Sequence, residues 1–520
     1  NGHCITNTIS DYVIENSSTF EILHSTESNT GSINGVNYST VLNNRDANLT
    51  ISSGTISLSK SGTSSSNYYS SVRNEGEFLL KDNGNIQTTQ SSYTYAVYNN
   101  GLMKTSGGNV DAMGIAIYNT IDSYISEDGM NYEDISIDDI VNNGTYYFEK
   151  DENGNLVSNN TGVHSSTANS YIEIDLENEI GNFVVEVNAE ISSENSDRGY
   201  ATITESESAP SYSSSTGRFM YISGTTESQT YTKELEGGKK YYLHFGYRKD
   251  SSVNRGNDIL TIHSIKAGKY AQTLGELKLE NCIIKGTTSL YNNSNKDLTI
   301  SSGKIEGFSS TGTSYGIYNN STATLTLNNI EISSDSTYFQ SSEAYGIYNN
   351  TTSEININGG KISCSTQYQY KNAYGIYNNS TGKINVNTTI ELDSDYAYGI
   401  YNKSTAEINI TGGTISLKNF SRGYGIYNND LGNIYFHKGT VTMSTSATSS
   451  IYGIYNKSTG TIIIGENDGT IDESLIEISA ITTSSSGKSY GLYNTSGILN
   501  FYDGSITGTE IIDGTITSIA

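Results

Sequence analysis

The residue types that perform chemistry are present in this chain, but not in the arrangements that chemistry needs. Six histidines, His3, His24, His164, His244, His263 and His437, occur at no spacing that puts two on one element. They read as surface or hydrogen-bonded side chains, not metal ligands. Cys4, Cys282 and Cys364 form no CxxC pair. The carboxylates worth weighing are Asp393 with Asp395, Asp468 with Asp472, and Glu354 with Glu407. A glycoside hydrolase needs two carboxylates at a set separation across one bond. Glu354 and Glu407 fall two repeats apart with Lys383 between them, the pattern of a solvated charge ladder on a strand. No nucleophile elbow, phosphate loop or dinucleotide fingerprint occurs. The expectation is a chain with no catalytic residues, no metal and no cofactor.

What the chain has in quantity is tyrosine, 42 residues against no tryptophan. Tyr98, Tyr118, Tyr291, Tyr318, Tyr348, Tyr377, Tyr401, Tyr427, Tyr455 and Tyr493 recur at one slot of a repeated Tyr-Gly-Ile-Tyr-Asn motif. At about 4.8 Å per turn they would form a stripe roughly 45 Å long. Two readings stay open. The phenols are a contact stripe for sugars or proteins, or they stack and stabilise the sheet they stand on.

A repeat of about 24 to 38 residues that carries such a column is a solenoid. Weaker copies upstream (Val13–Asn16, Thr40–Asn43, Ser71–Asn74) bring the count to about thirteen turns. Each turn holds the Gly-Ile-Tyr-Asn strand, a second strand such as Thr324–Leu327, and a third such as Lys361–Cys364. That is the layout of a three-faced parallel β-helix, and right-handed crossovers are the rule for parallel strands. The Ile317 slot is always aliphatic and faces the core. Two residues on, Asn319 shares that face, so Asn319, Asn349, Asn378, Asn402, Asn428, Asn456 and Asn494 are expected to form a hydrogen-bonded ladder. Gly316 and Tyr318 are assigned outward. Cys364 takes the slot of Ile332, Leu392, Leu417 and Met443, and Cys282 that of Ile330, so both are core hydrophobes.

The period breaks once, between Asn119 and Asn292. The domains expected are a β-helix over 1–121, an acidic linker over 122–141, an inserted antiparallel β-sandwich over 142–268, and the remaining β-helix over 269–520. The insert alternates as strands do over Tyr171–Leu176, Phe183–Ile191 and Lys239–Tyr247, with Gly237-Gly238 as a hairpin turn. Arg218, Tyr221, Tyr242, Tyr247 and Arg248 are its candidate ligand face, and core packing claims some of them.

The solenoid resembles right-handed parallel β-helices of the pectate-lyase-like class and the bacterial surface adhesins built on them. The insert resembles jelly-roll domains of the carbohydrate-binding-module kind. The first resemblance implies a scaffold shared by enzymes and adhesins, so it does not select an activity. A formal net charge of −26 argues against nucleic-acid binding, and no apolar run is long enough to span a membrane. The all-β chain is thus expected to be a non-catalytic extracellular protein of a bacterial cell surface. In this reading a rigid stalk displays the insert for adhesion or for binding glycans on host or microbial surfaces. The alternative is a structural subunit that assembles with itself into a fibre. Asn1 and the strand-like Gly514–Ile519 suggest ends cut from a longer chain. A polysaccharide lyase or hydrolase is the third reading.

Overall fold

The structure is a computed structural model. It describes the chain apart from residues 1–3, 8–11, 24–30, 37, 60–68, 90–93, 126–130, 133–138, 213, 252–255, 339–341, 419, 458, 471, 473, 510–517 and 520. The chain forms two compact units, residues 1–121 with 274–520, and residues 122–273. Among the described residues no helix is long and apolar enough to cross a membrane.

The first unit is a parallel β-solenoid. Its Gly-Ile-Tyr-Asn strands stack in chain order as a 13-stranded parallel sheet. Ile115–Asn119 pairs directly with Thr288–Asn292, Tyr118 opposite Tyr291 and Asn119 opposite Asn292. The ladder therefore continues in register across the interruption. The second and third strands of each turn belong to one 22-stranded sheet, because in many turns they run on as a single long strand, as in Leu325–Ser336 and Ile355–Thr366. The corner inside these strands is taken by left-handed residues, Asn329 (φ 50°) and Gly360 (φ 82°). A Cβ at Gly360 would lie 2.1 Å from the Ile330 carbonyl oxygen, so glycine is required there. Three strand segments per turn thus make two hydrogen-bonded sheets. The solenoid has about 16 turns, so the count of thirteen is too low. Cys4–Asn7 pairs with Ser32–Gly35 ahead of the first strand of the 13-stranded sheet, and Ser518–Ile519 pairs with Asn500–Phe501 beyond its last.

All three segments feed one core. Ile317, Leu325, Leu327 and Ile332 are each at most 1% exposed, and full burial of such a side chain is worth about 1.5–3 kcal/mol. Two assignments within the repeat need correction. Gly316 was expected to face outward, but a Cβ there would lie 2.6 Å from Ile332 Cγ2, inside the core. Gly375 against Ile390 and Gly425 against Val441 repeat the approach. The slot is small because the first strand's backbone lies close to the third strand's side chains, and Ala96 and Ala116 fill it at 0% exposure. Cys364 aligns with Ser334 and Leu392, while Ile332 aligns with Ile362. The cysteine is still a buried core residue, as is Cys282.

The second unit has two antiparallel sheets. One orders Phe148–Lys150, Leu156–Ser158, Ile259–Gln272, Asn182–Ser192 and Thr225–Glu236; the other orders Val141–Asn142, Thr167–Asp175, Lys240–Arg248, Arg198–Thr204 and Arg218–Ile222. Inward residues of both, including Phe148, Phe183, Leu243 and Phe245, form one apolar cluster. Gly237-Gly238 is not a hairpin turn. The strands on its two sides belong to different sheets, so these glycines carry the chain from one sheet to the other. In the stretch expected as a linker, Ser123–Ile125 and Asn131–Tyr132 pair with Ile259–Gln272.

Candidate functional site

The outward tyrosines stand ring on ring. From Tyr98 to Tyr493 the column is unbroken, with centroids 4.8–5.5 Å apart and planes within 19° of parallel. A second column, missed in the sequence, stands beside it: Tyr315, Tyr345, Tyr374, Tyr398, Tyr424, Tyr452 and Tyr490, at 4.9–5.1 Å. The two columns meet edge to face, for example Tyr424 against Tyr427 at 5.0 Å and 90°. The signal was the glycine. Turned inward, it adds one residue to the alternation, so both tyrosines of Tyr-Gly-Ile-Tyr share the outer face.

This packing decides what the columns can do. A neighbour covers both faces of every internal ring in each column, so no face is left to stack on a sugar. Ring edges and hydroxyls remain. At the first end Arg73 occupies the tyrosine slot, its guanidinium 4.9 Å from the Tyr98 ring and 2.9 Å from Glu75, which closes that face as well. Burial, then neighbouring phenols, pushes Tyr315 and Tyr427 up to about 12.

Behind the strand the asparagines form a continuous ladder. Each Nδ2 donates to the Oδ1 of the next turn at 2.7–3.1 Å, from Asn16 through Asn119, Asn292, Asn319, Asn349, Asn378, Asn402, Asn428 and Asn456 to Asn494. Most also cap a carbonyl of the following corner, as Asn402 does for Ser404 and Ala406. The ladder is structural.

The other candidate carboxylates are engaged in local contacts. Asp468 and Asp472 cap Thr470 and Ser474, and those hydrogen bonds hold both below the usual carboxylate range. Asp395 accepts from the Tyr370 backbone at 2.6 Å. Lys383 bridges to Glu407 at 2.7 Å, while Glu354 accepts from Asn385. His437 pairs with Glu466, His244 with Thr204 and Ser206, and His263 with Asn155. His3 and His24 lie outside the described residues.

The inserted unit does assemble a charged site. Arg218, Tyr221 and Arg248 converge on the outer face of the five-stranded sheet, joined by Arg198, Tyr200 and Tyr212. Arg248 lies 4.2 Å from the Tyr212 ring and Arg218 4.9 Å from that of Tyr221, with Arg198 at 5.9 Å. The Tyr212 and Tyr221 hydroxyls are 2.8 Å apart. Gly246 leaves room for the Tyr200 ring, which a Cβ would meet at 2.1 Å. Tyr247 is not on this face: it is fully buried, on the inward parity of its strand. Tyr242 keeps the outer parity but packs against Tyr171.

The electrostatics of the face favour negative charge. Burial pushes the Tyr221 phenol up, but hydrogen bonds with Tyr212 and Arg198 and the charges of Arg198 and Arg218 outweigh it. The phenol sits below its ordinary value. Arg218 gives its terminal nitrogen to the Tyr212 and Ser214 carbonyls, which fixes the guanidinium under the rings.

Glu194, Asp197 and Asp250 are the one acidic group among the described residues that brings three oxygens within 4.8 Å of one another. The Lys249 side chain lies close enough to feel all three charges.

No family model matches the chain, and no curated protein matches it. Among solved structures it is similar to the K1 cleaved adhesin domain of Lys-gingipain from Porphyromonas gingivalis W83. The match has 13% identity, covers 29% of this chain and 98% of that one, and has a TM-score of 0.18.

Proposed function

We propose that the chain is a non-catalytic protein of a bacterial cell surface. The solenoid serves as a stiff scaffold, and the inserted unit, a jelly-roll-like module, binds glycans that carry carboxylate or sulfate groups. The observation that supports this reading most is the Arg198, Arg218 and Arg248 cluster around Tyr200, Tyr212 and Tyr221. In a chain of net charge −26, three guanidiniums gathered on one face are a local reversal of sign. Guanidinium forks pair with planar anions, and Tyr221 beside them is 46% accessible, which puts an aromatic side chain within reach of a bound sugar. The internal rings of the solenoid columns, covered on both faces, present no open face to a sugar.

A panel of neutral and acidic oligosaccharides applied to the full chain tests the reading. Uronate- or sulfate-bearing glycans should bind, weaken as salt rises, and release from an Arg248→Ala variant. Binding of neutral glycans alone, unaffected by that substitution, would contradict it, as would no binding at all.

A further inference from the structure

We infer that Lys249 and Asp258 condense into an intramolecular isopeptide bond that ties the two sheets of the inserted unit together. Lys249 directly follows Lys240–Arg248 in one sheet, and Asp258 directly precedes Ile259–Gln272 in the other. Their side chains are only 1% and 4% exposed, with Lys249 Nζ in contact with Asp258 Oδ2. The carboxyl is held from several sides. Tyr247 donates its hydroxyl to Oδ1 at 3.1 Å, and the Gly162 N–H donates to Oδ2 at 2.8 Å. Asp258 has φ 60°, a conformation rare outside glycine and asparagine or aspartate.

Lysine and aspartate do not condense in water, because at neutral pH one is protonated and the other ionised. Here burial penalises both charges, and it pulls the Lys249 ammonium down. Passing one proton from ammonium to carboxylate leaves a neutral amine beside a neutral carboxylic acid. Nζ then attacks Asp258 Cγ. One C–N bond forms, one C–O bond breaks, the proton lost by nitrogen departs with the hydroxyl as water, and nothing is oxidised or reduced. Donors already aimed at the carboxyl oxygens favour the tetrahedral oxyanion. The Tyr247 hydroxyl, within 3.3 Å of Asp197 Oδ2 as well, can relay the proton. Asp197 is itself buried and is held by Ser193 and the Asp250 N–H. Fixed contact of the two reactants makes the step intramolecular, and well-oriented intramolecular pairs reach effective concentrations on the order of 10⁵ M or more. The amide also removes the desolvation cost that a buried ion pair keeps.

The mass of the denatured full chain tests this. The expected mass is one water below that of the sequence, with a protease digest yielding one branched peptide that joins the segments of Lys249 and Asp258. Lys249→Arg and Asp258→Ala should each restore the full mass and the linear peptides. A native chain at full sequence mass overturns the proposal and leaves an ordinary buried ion pair. So does a water loss that persists in Lys249→Arg or maps to another residue. Because the first measurement is made on the unaltered protein, a variant that fails to fold cannot obscure the result.

Discussion

The solenoid wall and the outer face of the inserted unit are both built from tyrosine, yet they use it in opposite ways. On the wall each ring is spent on the next, at about one turn's spacing, and the one guanidinium in the column closes its end. On the inserted unit three rings are spread among three guanidiniums, and Tyr221 stays exposed with its phenol biased toward the anion. Repetition makes a surface that satisfies itself. A single irregular cluster leaves charge and an exposed aromatic side chain available to something else.

If that contrast holds, substitutions on the solenoid should cost stability and spare binding. Asn402→Ala should have the largest effect. It removes a fully buried amide that donates to two carbonyls and to Asn428, and leaves those acceptors unpaired. A loss of about 3 kcal/mol is expected from unsatisfied buried groups, read by denaturant unfolding and, locally, by faster amide exchange in the adjoining turns. Gly375→Ala comes next. Its methyl would meet Ile390 Cγ2 at 2.4 Å, and overpacking of that kind costs about 1–3 kcal/mol. Tyr401→Phe keeps the stack and loses only a hydroxyl, so a change within about 0.5 kcal/mol is expected.

Alkali sharpens the contrast from the other side. Phenols of the wall, raised to about 12 at Tyr315 and Tyr427, are neutral in the folded state where an unfolded chain would ionise. Their contribution to stability is complete below the ordinary phenol value of 10.0 and is lost as pH rises through about 12. Tyr221 has the opposite shift. Absorbance titration should therefore show an early phenolate that disappears in Tyr221→Phe, followed by a late group that appears with unfolding.

The solenoid was legible because repetition averages out local noise. An asparagine in every copy, two residues after an invariant aliphatic, can only be an inward ladder, and the register across Asn119 and Asn292 follows from it. The second tyrosine column was not legible by strict alternation, which puts Tyr315 on the face of Ile317. The inward glycine shifts that phase, and only the spacing between backbone and the Ile332 side chain reveals it. In the insert, Tyr242 and Tyr247 have opposite strand parity and could not both line one face. Leu243 and Phe245 mark which parity is inward. Tyr212 comes from a loop, where no period predicts position, and the Lys249–Asp258 contact joins the ends of strands in two different sheets.

The central question is where an acidic glycan binds. Isothermal titration of the full chain with a uronate-containing oligosaccharide, repeated on Arg248→Ala and on Tyr401→Ala, puts the two tyrosine surfaces in competition. The contrast between the two surfaces predicts at least about a tenfold loss of affinity, or about 1.4 kcal/mol, for Arg248→Ala and none for Tyr401→Ala. Affinity that falls with Tyr401→Ala and survives Arg248→Ala would contradict it.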